Sequence, residues 1–158
     1  MTTPARLTVL AFAAAVLAGC TDLTGVVETK SAADVTATVR QYADGVKALT
    51  GGDYTLQEPS AMPCTGKRGE LSDKVFSVQG AYQVALAPDK QLATLARIRD
   101  NWKSRGWTVT DDETTGATSG KLAARTGDNG YSLTLATATD PHWLAILIYS
   151  PCYRTPTP

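Results

Sequence analysis

The sequence predicts an α+β domain in which a mainly antiparallel sheet of about five strands carries two helices packed on one face. Three observations lead there. Two stretches place apolar residues at steps of three and four, the period of a helix. Several others alternate apolar with polar residues, or are almost wholly apolar, as strands are. The later strands are separated only by short reversals rich in Gly, Asp and Asn, and short connections require antiparallel neighbours.

Taken from its start, the chain carries Arg6 as the one charged side chain before Cys20. Leu7 to Ala18 is apolar apart from Thr8 and too short to span a bilayer, so it reads as the core of a signal peptide. It ends in Leu17-Ala18-Gly19-Cys20, which resembles, position by position, the lipobox of bacterial lipoproteins. The resemblance implies diacylglyceryl transfer to the Cys20 thiol, cleavage before it, and acylation of the new amine. It therefore implies a lipid anchor on the extracytoplasmic face of the cell membrane. One acyl chain binds a bilayer marginally and two bind it stably, at about 0.8 kcal/mol per buried methylene. Asp22 resembles an inner-membrane retention signal of bacteria with two membranes.

The expected organisation is a signal peptide over 1–19, a lipidated cysteine and tether over 20–30, a single domain over 31–153 and a loose tail over 154–158. With Cys20 assigned to lipid, Cys64 and Cys152 remain, and one intramolecular disulfide is open to them. An oxidising compartment favours it. Closing a loop of about ninety residues adds about 4 to 5 kcal/mol in the chain-entropy account. The alternatives are two free thiols or a metal pair, and with His142 the single histidine a tetrahedral zinc site is short of ligands.

Ser31 with Asp34 three residues on forms a helix-capping pattern, and Val35, Val39, Tyr42, Val46 and Leu49 then recur at helical spacing. Gly51 and Gly52 stop that helix. Gly45 within it costs about 1 kcal/mol against Ala, so packing must supply the difference. Asp53 to Glu58 suits a short strand, and Pro59, Pro63, Gly66 and Gly69 mark an irregular segment around Cys64. Val75 to Leu86 alternates as a long strand with one buried face, Gly80 marking a bulge or a close approach.

Pro88 and Asp89 open a second helix with Leu92, Leu95, Ile98 and Trp102 on its apolar stripe. Gly106 ends it, which places Trp102 and Trp107 at the two positions that touch across a Schellman cap. A helix stop is the favoured reading of this pair over an exposed aromatic platform. Trp107 to Thr110 starts a strand ending in Asp111-Asp112-Glu113, and Lys121 to Thr126, Tyr131 to Thr139 and Trp143 to Tyr149 follow as strands. Gly127-Asp128-Asn129-Gly130 and Asp140-Pro141 are the turns between them. Trp143 to Tyr149 is apolar enough for the middle of a sheet or for a sheet covered on both faces.

This layout, with Gly106-Trp107, Gly130-Tyr131 and Ser150-Pro151-Cys152, resembles small lipoproteins of actinobacteria. That resemblance implies no activity. The 15 basic and 15 acidic residues leave no net charge to draw the chain to nucleic acid. Nucleophile elbow, zinc-helix and phosphate-loop patterns do not occur in the sequence. Asp111, Asp112 and Glu113 are consecutive, as at a solvated strand end, rather than alternating as in a calcium loop. His142 follows Pro141 and reads as a turn residue.

No catalytic residue, metal or cofactor is expected. The leading expectation is a lipid-anchored, extracytoplasmic, non-enzymatic domain that binds an envelope protein or a small ligand. A second is a carrier or sensor for an apolar molecule held between sheet and helices by Tyr42, Tyr82, Trp102 and Trp143. The third is an envelope hydrolase using the Asp111–Glu113 acids or His142.

Overall fold

Helix α1 (Ala32–Thr50) begins where its cap predicts: the Ser31 hydroxyl accepts from the Asp34 N–H at 3.1 Å and donates to the Asp34 carboxylate at 2.7 Å. The computed structural model describes residues 27–65, 71–127, 129–137 and 142–157. The lipobox, Cys20 and Asp22 lie outside them, as do Gly66, Gly69, Asp128 and Asp140-Pro141. Val35, Val39, Ala43 and Val46 form the buried stripe of α1, while Tyr42 and Leu49 sit half-buried beside it. Gly51, at φ 71°, closes the helix by donating to the Lys47 carbonyl.

Helix α2 (Pro88–Ser104) buries Leu95, Ile98 and Trp102 and, unexpectedly for a polar side chain, Gln91. Its amide nitrogen donates to the Leu86 carbonyl at 3.1 Å, which satisfies a group that would otherwise be costly to bury. At the far end Gly106 adopts φ 74°, its N–H bonds the Lys103 carbonyl, and the Trp107 N–H bonds the Trp102 carbonyl, each at 3.0 Å. This is the Schellman pattern, and the two indole rings touch across it with centroids 5.6 Å apart.

The described residues carry eight strands rather than about five: β1 (Tyr54–Leu56), β2 (Ser60–Thr65), β3 (Leu71–Ala85), β4 (Thr108–Thr115), β5 (Ser119–Arg125), β6 (Ser132–Thr137), β7 (Trp143–Tyr149) and β8 (Tyr153–Arg154). They form one sheet in the order β1-β3-β7-β6-β5-β4, with β2 and β8 also paired to β3, and every strand pair is antiparallel. The additional strands have identifiable causes. β2 contains Pro63, which read as loop, but β2 pairs only with β3, and an outer strand tolerates a missing donor. The register slips between Pro63 and Cys64 to absorb it. β8 resumes the line of β7 after Ser150-Pro151-Cys152, where the pairing with β3 slips by one residue. There the Ser150 hydroxyl takes the Val78 N–H at 2.8 Å. β4 continues through Asp111–Glu113 instead of ending at them.

Both helices cover the same face. Alternate residues of β3, β5, β6 and β7, among them Val78, Leu122, Leu133 and Ile146, are buried beneath them. β7 is central, as its composition predicts, yet Ala145 and Leu147 on its other face are only half-buried. Gly80 is a close approach rather than a bulge: a Cβ there would lie 2.7 Å from Val39 Cγ1 of α1, and pairing with β7 runs through it without a slip. Cys64 and Cys152 form a disulfide, Cα atoms 6.2 Å apart, that ties β2 to the approach to β8.

Candidate functional site

Between α1 and the C-terminal end of α2 runs a cleft whose walls follow from helix periodicity. Thr38, Gln41, Tyr42, Gly45 and Leu49 share one face of α1, and Asn101, Trp102 and Arg105 share one of α2. Trp107, just past the helix stop, and Asn129, in the turn between β5 and β6, close the end. The recess holds about 170 Å³ and adjoins a wider one of about 430 Å³ walled by Tyr42, Arg105, Trp107 and Gly127. Gly127 lets the turn lie against the end of α2, since a Cβ there would sit 3.2 Å from the Gly106 carbonyl oxygen.

The wall is rigid on one side. Nδ2 of Asn129 donates to the Tyr42 hydroxyl at 2.9 Å, and the hydroxyl donates back to Oδ1 at 3.1 Å. The same Oδ1 accepts from Thr126, whose hydroxyl accepts the Tyr131 N–H at 2.9 Å. Tyr42 also packs edge-on to Trp107 at 5.5 Å and against Tyr131 at 5.1 Å. Tyr131 is buried, and that burial, followed by its contact with the Tyr153 hydroxyl, holds its phenol well above the usual range. On the other side, the Arg105 guanidinium lies over the Trp107 ring at 4.8 Å and pairs with no carboxylate among the described residues. Gln41 and Asn101 have no side-chain hydrogen-bond partner there either, so their amides are available to a ligand.

Gly45 is the unusual member. It sits inside α1, where glycine is unfavourable, and no close contact requires it: a Cβ there would meet nothing within 4 Å. It lines the recess.

The acids read from the sequence are separated. Asp111 pairs with Lys121 of β5 at 2.6 Å, and Asp112 faces Arg99 of α2 at 3.4 Å. His142 is exposed ahead of β7, and its carbonyl accepts the Leu86 N–H at 2.8 Å. Tyr42 and Trp102 wall the interhelical recess, Tyr82 borders a separate hollow beside Thr55 and Gln83, and Trp143 borders neither, so these four do not enclose one cavity. Cys64 and Cys152 are bonded to each other, and Cys20 lies outside the described residues. Gln41, Asn101, Arg105 and Asn129 come from three distant segments, so no local pattern in the sequence assembles them into one site. The glycine inside a helix and the Trp102–Trp107 pair are the two sequence signals that point to them.

No family model matches the chain, and no curated protein matches it. Among solved structures the chain is similar to the crystal structure of LppA from Mycobacterium tuberculosis, a provisionally assigned lipoprotein, with a TM-score of 0.43 and 14% sequence identity over 78% of this chain and 75% of that one.

Proposed function

We propose that the chain is a lipid-anchored, extracytoplasmic, non-enzymatic domain that presents the interhelical cleft to a component of the cell envelope. One observation carries this reading: the Cys64–Cys152 disulfide uses both cysteines of the folded domain and leaves Cys20, in its lipobox, as the thiol for lipid. A disulfide in a domain of this size also fits an oxidising compartment. The direction of α1 suits the role. Gly45 lies fourteen residues beyond Ser31, about 20 Å along the axis, so the helix sets the cleft away from the end of the domain that follows the tether.

The test is the intact mass of the membrane-extracted protein, before and after reduction. The expected mass begins at Cys20, includes acyl chains, and rises by two protons on reduction. An unlipidated mass would remove the anchor from the proposal.

A further inference from the structure

We infer that the interhelical cleft is a binding site for an acidic sugar, with the ring in the inner recess and its carboxylate or phosphate on Arg105. The inference rests on the binding reading above, for the choice of surface only.

Size comes first. A recess of about 170 Å³ is smaller than the roughly 300 Å³ at which pockets for drug-sized ligands begin, so it takes a single ring. The adjoining recess at Arg105 leaves room for what the ring carries.

Chemistry narrows the ring. Gln41 and Asn101 each offer a donor and an acceptor, Asn129 keeps its second amide N–H and the Tyr42 hydroxyl a second lone pair, a lining suited to hydroxyl groups that must both give and take hydrogen bonds. Trp107, half-buried at the mouth and backed by the buried Trp102, supplies apolar surface for a C–H face of the same ring. Among the described residues no carboxylate lines the cleft, and the charged side chain there is Arg105. That guanidinium lies over the Trp107 ring at 4.8 Å and pairs with no carboxylate among the described residues, which leaves its N–H fork to take a carboxylate or phosphate through two parallel bonds.

Gly45 is the independent observation. A residue that weakens its helix and that no packing contact requires is accounted for if the space above it must stay open.

The experiment uses the full chain extracted in detergent and follows tryptophan fluorescence, since two of its three tryptophans wall the recess. The probes are glucose, glucuronate, glucose 6-phosphate and inorganic phosphate. A saturable change is expected with glucuronate or glucose 6-phosphate at least about tenfold tighter than with glucose, and the tighter of the two identifies the oxyanion. Arg105→Gln brings the acidic sugars down to the affinity of glucose. Gly45→Leu fills the recess and abolishes all binding, while its melting temperature stays at or above that of the parent because leucine is the better helix former. The inference is overturned by no response to either acidic sugar, by glucose or inorganic phosphate binding as tightly, or by a folded Gly45→Leu variant that still binds. A silent titration leaves the anchor proposal standing, and an unlipidated mass leaves the titration standing.

Discussion

The Tyr82 hydroxyl is buried under α1 with no hydrogen-bond partner among the described residues. Burial, reinforced by the field of Tyr54, pushes its phenol up to about 12. In the unfolded chain a tyrosine ionises near 10, so below that pH both states hold the proton and stability is unaffected. Between about 10 and 12 the unfolded state sheds its proton first, and stability falls as pH rises. We predict that the urea midpoint drops across this window and that Tyr82→Phe makes the drop shallower. At neutral pH the same substitution removes an unsatisfied polar atom and should stabilise the fold by about 1 kcal/mol. Gly45→Ala should likewise raise stability by about 1 kcal/mol, because it improves helix propensity and meets no neighbour; thermal unfolding of the variant checks it. Both residues are therefore places where the chain is less stable than a simple substitution would make it. At Gly45 the open recess supplies a reason, whereas at Tyr82 the structure supplies none.

Strand β3 and helix α1 meet so closely at Gly80 that a methyl group there would strike Val39 and the Tyr82 ring. Gly80→Ala should cost about 1 to 3 kcal/mol by overpacking, measured by denaturant unfolding with an unchanged slope. Elements of this kind differ in how plainly the sequence shows them. α1 and α2 were legible because stripe, cap and terminating glycine agree, and β5, β6 and β7 because alternation or continuous apolarity is bounded by turn residues. β2 was not, since Ser60, Ala61, Met62 and Pro63 are all exposed and bury nothing that would impose a period of two. β8 is two residues long and owes its place to the β3 ladder, a partner that local pattern cannot name. The cleft stayed hidden for the same reason on a larger scale: each wall is an ordinary polar helix face or turn until the Schellman cap at Gly106 swings Trp107 back over Trp102. Ser31→Ala tests the start of α1 and should cost about 1 kcal/mol, read by thermal melting.

Taken whole, the molecule is a sheet with helices on one side and a covalent clip at one end. The disulfide spans 88 residues, enough to include all of β3, all of α2 and the strands β4 through β7. Reducing it should lower stability by about 2 to 5 kcal/mol, seen as a lower denaturant midpoint in the presence of a reductant. A second closure needs no covalent bond. The Arg154 N–H donates to the Glu28 carbonyl at 2.8 Å, the Lys30 N–H donates to the Arg154 carbonyl at 3.1 Å, and Lys30 rests over the Tyr153 ring. The segments near the two ends of the described chain thus lie side by side, and the polypeptide path is close to a ring that can be opened elsewhere. A permuted gene that joins residue 157 to residue 27 by a short glycine-serine bridge, and begins instead in the exposed turn at Ala117, should encode the same sheet, the same cleft and the same disulfide.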